Sequence, residues 1–293
     1  MAEATVAVIG GSGFYQMEGL TGIHQVNLDT PFGKTSDAIT IGTLEGAQVA
    51  FLPRHGAVHR LLPSEVPSRA NIWALKTLGV EHIISISACG SLQEQIAPLD
   101  LVIPDQLIDR TKRRPSTFFG DGIVAHIGFA DPFCPELSRV LGDCAEGTGP
   151  RVHRGGTLVV MEGPAFSTRA ESELYRTWGA SLIGMTALPE AKLAREAEIC
   201  YAAVACTTDY DCWHETEADV TADLILANLL KNVEVSKRIV RNAVTRLTAD
   251  RTCPCANALQ TAIITQPGRV PRQVKRDLAP IIGRYLRMTV SAT

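Results

Sequence analysis

No stretch of the sequence approaches the roughly 20 apolar residues of a membrane span, and no N-terminal segment joins a basic region to a long apolar run. A cytoplasmic location is therefore expected. An excess of charge of one sign is also lacking. The 28 Lys and Arg stand against 31 Asp and Glu, a formal net charge of -3, which excludes global attraction to nucleic acid or to an anionic membrane. The one basic run, DRTKRRP from Asp109 to Pro115, reads as a solvated loop. Internal repeats, low-complexity tracts and linker-like segments are absent. At 293 residues and 45% hydrophobic content, this favours one compact unit with a substantial core.

Two chemical signatures are missing as well. A dinucleotide fingerprint begun at Gly11 meets Gln16 where its last glycine belongs, so a nicotinamide oxidoreductase fails at its most specific point. His55 and His59 have the spacing of a zinc-protease helix, but Gly56 stands where the Glu base is needed. The eight cysteines are scattered, several inside apolar strands where a thiol acts as a small hydrophobe. Cys253 and Cys255 form a C-P-C pair able to cross-link or bind metal, without a second Cys pair to complete a zinc site.

What is present alternates strand and helix. TVAVIGGSGF from Thr5 is a strand breaking into a glycine turn, and DAITIGTLEGAQVAFLPRHG from Asp37 is two strands joined near Glu45-Gly46. ANIWALKTLG has helical spacing at Ile72, Leu75 and Leu78 and stops at Gly79, after which HIISISACGSL is a buried strand. LVIPDQLIDR, GTLVVMEGP and ICYAAVAC supply further strands, between STRAESELYRTWG, LPEAKLAREA and a long helix over Asp219 to Leu247. Thr168 and Glu171 fit a capping box. The tail from about residue 249 reads as two short helices split by Pro267-Gly268. The pattern is α/β, a central mostly parallel or mixed sheet flanked by helices.

Chemistry gathers where strands end, the usual ligand edge of a parallel sheet. The Gly10-Gly11-Ser12-Gly13 turn offers backbone N–H groups and a hydroxyl to an anion. Arg54 and His55 follow the next strand as a charged fork and a further donor, a pairing suited to phosphate. Ser87-Ala88-Cys89-Gly90 repeats the hydroxyl-and-amide theme, and Met185-Thr186 adds a hydroxyl before a helix. Glu162 and the face of Phe166 lie in a turn where a flat base could stack. Taken singly, each is also ordinary turn chemistry or core packing. The remaining oddity is CTTDYDCWHE, Cys206 to Glu215, with Asp209 and Asp211 at the end of an unbroken apolar strand and no Lys or Arg nearby. One could cap a helix and the other be solvated; alternatively the pair holds something that bears hydrogen-bond donors.

The blocks GGSGF, DTPFGKTSDA, RHG, ANIWALKTLG, ACGSL, DQLIDRT, EGPAFSTRAES, TWGASLIGMT, PEAKLAREAEICYA and TDYDCW cover most of residues 5 to 230. In these the chain resembles the 5'-methylthioadenosine phosphorylases within the trimeric purine nucleoside phosphorylases. The resemblance implies a single nucleoside phosphorylase domain over residues 1–293. It also implies phosphate-dependent cleavage of the N-glycosidic bond, releasing the purine and a 5-methylthioribose 1-phosphate, with no metal or organic cofactor. Ser12, Arg54, His55, Ser87, Ala88 and Thr186 match the family's phosphate site, Met185 the floor under the ribose, and Phe166 the stacking face. Asp209 would act at purine N7 as the catalytic group, and Asp211 would accept from the 6-amino group. Such carboxylates, at i and i+2, would point the same way from an extended strand end. Ala222 and Ile225 match the apolar 5' pocket, which His126 of a neighbouring subunit would complete in a homotrimer. Ala165 departs from the Arg common in relatives, Ser12 and Ser87 replace Thr, and the tail matches poorly. A 6-oxopurine nucleoside or methylthioinosine phosphorylase is the rival within the family, though a donor such as Asn would then be expected to face the carbonyl. Outside it stand a nucleotide-binding oxidoreductase and a non-catalytic purine sensor.

Overall fold

The computed structural model describes residues 2–11, 17–214, 222–247 and 251–286, the side chains of 222–227 and 229 excepted. Strand β1 (Val6–Gly10) is buried along its whole length, as an apolar run covered on both faces must be. It is followed by β2 (Thr21–Val26), a small hairpin of β3 (Asp29–Thr30) and β4 (Gly33–Lys34), and the antiparallel pair β5 (Ile39–Leu44) and β6 (Ala47–Pro53). Glu45 and Gly46 join that pair with φ of 49° and 83°, the two positive values that a tight hairpin turn needs. Helix α1 (Ser68–Thr77) stops before Gly79, whose φ is 94°. A Cβ at this glycine would stand 2.4 Å from that of Ala2, so the stop also lets the N-terminal segment pass.

The chain continues through β7 (His82–Ser91), β8 (Leu101–Ile103) and β9 (Gln106–Arg110), then α2 (Pro135–Ala145), β10 (Val152–Arg154) and β11 (Thr157–Met161). Next come α3 (Arg169–Thr177), β12 (Leu182–Gly184), α4 (Ala187–Glu196), β13 (Cys200–Asp209) and the long α5 (Ala222–Val244). The capping box at Thr168 and Glu171 is present in full. Two readings of the sequence change. LVIPDQLIDR is two strands that join different neighbours, β8 pairing with β13 and β9 with β11; Pro104 between them lacks the N–H that a continuous ladder needs. In the tail, the two short α-helices among the described residues, α6 (Arg272–Asp277) and α7 (Ala279–Leu286), lie after Pro267-Gly268, and a 3-10 turn at Pro254–Asn257 lies before it.

Among the described residues eleven strands form one mixed sheet, whose main path runs β10-β8-β13-β7-β1-β6-β5-β2. Its centre, β13-β7-β1-β6, is parallel. Side chains of β13 alternate between two cores: Tyr201, Ala203 and Ala205 pack with α1 and α4, and Cys200, Ala202, Val204 and Cys206 with α2 and α5. That two-sided burial is why the strand reads as one apolar run. The parallel centre brings the carboxyl ends of β1, β6, β7 and β13 to one edge. Strand β12 joins them antiparallel to the end of β7, with Leu182 opposite Ser91 and Ile183 opposite Gly90.

Candidate active site

Arg54, the residue after β6, is buried, and its guanidinium is already in use. Nε and Nη2 grip both oxygens of Glu190 on α4, at 2.5 and 3.0 Å, while Nη2 also donates to Ser85 Oγ at 2.8 Å and Nη1 to the Ile86 carbonyl at 3.1 Å. Tyr201 OH donates to the same Glu190 carboxylate at 3.0 Å. Burial works against the guanidinium charge, but Glu190 more than offsets it and the pKa stands above its ordinary value. By count of donors, one Nη1 hydrogen is left over. The expected open fork is thus a closed buried pair that offers an anion one N–H and a partly neutralised charge. Removing one partner of such a pair strands the other. Arg54→Ala should therefore lower stability by about 3–5 kcal/mol in urea unfolding, besides any effect on phosphate. A loss below about 1 kcal/mol would show that Glu190 is held by something else.

His55 departs from expectation too. Its Nδ1–H donates to the Leu61 carbonyl at 2.9 Å. Burial, reinforced by the Arg54 charge, pushes its pKa down to about 4. A neutral ring with that N–H committed presents a lone pair at Nε2, so it is an acceptor and not the donor read from the sequence. Hydrogen phosphate carries the proton that such an acceptor takes. Ser87 and Ala88 are among the few residues of β7 that are only half-buried, and they lie toward its carboxyl end. Thr186 sits just before α4, where a hydroxyl would ordinarily cap, but its side chain makes no capping bond. Ser12 lies outside the described residues.

The aspartates come together by a different route from the pleat of an extended strand. Asp211 has a φ of 51°, and its backbone N–H donates to Asp209 Oδ1 at 2.8 Å. A turn closed by a side chain, not strand periodicity, places one carboxylate beside the other. Thr208 Oγ1 donates to Asp209 Oδ2 at 2.6 Å, and Asn228 of α5 fixes the Thr208 carbonyl at 2.8 Å. Gly90 supplies the room: a Cβ there would stand 2.8 Å from Asp209 Oδ1. Both aspartates are buried, and Asp211 Oδ2 has no hydrogen-bond partner among the described residues. Burial first, and the neighbouring Asp209 charge, raise the Asp211 pKa against the pull of the nearby Ser172 and Ser167 hydroxyls. The Ser172 and Ser167 hydroxyls stand close to this carboxylate, so its open oxygen is an acceptor that a ligand N–H would complete in competition with them.

Met185 and Phe166 are held at this edge by a residue that the sequence reading passed over. Arg114, in the run taken for a solvated loop, has a buried side chain. Its Nη1 donates to the carbonyls of Met185 at 2.5 Å and Leu188 at 2.7 Å, and its Nη2 to those of Met161 at 3.2 Å and Glu162 at 2.5 Å. One planar fork thereby ties the β11 turn, which leads to Phe166, to the β12 turn that carries Met185 and Thr186. The only local signal was an Arg-Pro step after a strand. Phe166 itself is exposed, a face open to a flat partner. The side chains of Ala222 and Ile225 lie outside the described set. His126 is on none of these strand ends; it is exposed, with its backbone N–H bonded to the Ala262 carbonyl at 2.9 Å.

Residues 5–245 match the phosphorylase superfamily. An S-methyl-5'-thioadenosine phosphorylase of Chloroflexus aurantiacus is 59% identical over 286 residues, covering 97% of this chain and 99% of that protein. The crystal structure of a methylthioadenosine phosphorylase from an antarctic soil metagenomic library is 50% identical and superposes with a TM-score of 0.92 over 96% of this chain and 99% of its own. A substituted adenosine/methylthioadenosine phosphorylase of Schistosoma mansoni, in complex with methylthioadenosine, is 37% identical with a TM-score of 0.80, covering 88% and 96% of the two chains. Agreement in sequence and in backbone across nearly the whole length leads to one conclusion: the chain belongs to the phosphorylase superfamily.

Proposed function

We propose that this chain is a pentosyltransferase that cleaves 5'-methylthioadenosine with inorganic phosphate, giving adenine and 5-methylthioribose 1-phosphate. The observation that carries this reading is the buried Asp209–Asp211 pair with one carboxylate oxygen unpartnered. A purine presents N7 and its 6-substituent side by side. Asp211 Oδ2 accepts a hydrogen bond from the 6-amino group, and Asp209 shares a proton with N7. As a phosphate oxygen bonds to the anomeric carbon, the glycosidic bond to N9 breaks and its electron pair goes to the base. The proton at N7 relieves that build-up of charge.

Phosphate is assigned to Ser87, Ala88, Thr186, the spare N–H of Arg54, the acceptor nitrogen of His55, and Ser12. Met185 lies under the ribose and Phe166 stacks on the base. Ala222, Ile225 and a neighbouring subunit's His126 enclose the 5'-methylthio group, which makes a homotrimer the working assembly. A single domain in the cytoplasm belongs to the same proposal; no helix among the described residues is long and apolar enough to cross a membrane.

Adenine release from methylthioadenosine, followed with and without phosphate, tests the reaction. Release should be negligible without phosphate and should persist in EDTA, because every anion contact named is a hydroxyl, an amide, Arg54 or His55. Immediate loss in EDTA, with the fold unchanged by circular dichroism, would contradict a metal-free active site. An apolar 5' pocket rejects a hydroxyl by about 100-fold, so adenosine should be a slow substrate. Equal efficiency on both nucleosides would show that the pocket is polar or open.

A further inference from the structure

Far from the sheet edge that carries the aspartates, four cysteines from three parts of the chain meet. Cys134 precedes α2, Cys200 opens β13, and Cys253 and Cys255 flank Pro254 in the tail. All four are buried free thiols, and their sulfurs lie within 4.8 Å of one another. The C-P-C pair is therefore completed by two residues that no local spacing connects to it. We propose that Cys134, Cys200, Cys253 and Cys255 hold one zinc-class divalent metal ion as a closed tetrathiolate site. Four thiolates about 2.3 Å from zinc form a tetrahedron with edges of roughly 3.8 Å, within the spread of the cluster. Soft sulfur ligands in that geometry select zinc over hard cations.

The surroundings suit thiolates better than disulfides. Arg251 points Nη1 at Cys200 Sγ, 3.9 Å away, while donating to the Glu198 carbonyl at 2.9 Å. The backbone N–H of Leu137, in the first turn of α2, stands near the Cys134 sulfur, and that of Cys255 near Cys253. Arg195 adds its charge near Cys255. Four thiolates around a divalent ion leave excess negative charge, which these donors offset; two neutral disulfides need none of them. Binding displaces the thiol protons to solvent and involves no change of oxidation state. Cys200 and Asp209 are the two ends of β13, about 30 Å apart at roughly 3.3 Å per residue. The ion would fasten the tail to α2 and β13, and it takes no part in phosphorolysis.

The test is metal analysis of the full chain, produced with zinc and purified under reducing conditions without chelator, together with cobalt substitution. About one zinc per chain is expected, falling below about 0.1 in Cys253→Ser/Cys255→Ser, with intense sulfur-to-cobalt charge-transfer absorption in the unsubstituted protein. Eight titratable thiols in the unfolded chain with no metal uptake, or four thiols and two disulfides, would overturn the proposal. So would zinc that stays in the double variant. Should that variant fail to fold, absence of the cobalt–thiolate absorption in the unsubstituted chain is decisive against it.

Discussion

Asp209→Asn should lower kcat by about 100-fold or more on every purine nucleoside, the range for loss of a positioned proton donor, while leaving the fold intact. The amide is the informative replacement. Its oxygen still accepts the Asp211 N–H that Asp209 Oδ1 holds at 2.8 Å, and its NH2 faces the Thr208 hydroxyl, which rotates to become the acceptor. The turn therefore survives, and only the shared proton at N7 is lost. Alanine would release the turn and move Asp211 with it, mixing two effects. Steady-state kinetics on methylthioadenosine and methylthioinosine decide the matter. A fall confined to one base would assign Asp209 to recognition; a fall in apparent phosphate affinity alone would place it on the anion side.

Asp211→Asn should change identity instead of rate. An ionised Asp211 accepts from a 6-amino group but sets lone pair against lone pair at a 6-carbonyl, a repulsion that a buried site cannot relieve with water. The amide keeps the shape and brings a donor. Efficiency should fall on methylthioadenosine and rise on methylthioinosine, moving the preference by about 10-fold or more, roughly 1.4 kcal/mol or one hydrogen bond. The raised pKa of Asp211 adds an internal check. As pH falls through that value the native carboxyl gains a proton and can itself donate, so the unsubstituted enzyme should drift toward the oxopurine while the variant shows no such drift. Kinetics in which both substrates slow together would make Asp211 structural.

Strands, helices and the candidate edge were legible because each carries a local pattern. The apolar run of β13 showed a strand buried on both faces, and two carboxylates at its end were anomalous enough to need a ligand. Long-range pairing was not legible. Glu190 lies 136 positions from Arg54, and nothing around Pro53-Arg54-His55 discloses that the guanidinium is already taken. Arg114 sits in a run that local composition assigns to solvent, yet the carbonyls it gathers come from turns brought together only by the order of β9, β11 and β12. The Asp211 turn was misread because a positive φ in a non-glycine residue has no signature in DYD; only the bond to Asp209 makes it favourable.

In the proposed reaction one carboxylate oxygen, Asp211 Oδ2, reads the base. A crystal structure of the chain with methylthioadenosine, and with sulfate in place of phosphate to prevent turnover, tests it most directly. Asp211 Oδ2 should lie about 2.7–3.2 Å from the 6-amino nitrogen, with Asp209 facing N7 and sulfate against Ser87, Ala88 and Thr186. An Asp211 Oδ2 that remains without a partner, or a purine that turns its N7 edge away from both aspartates, would contradict the account.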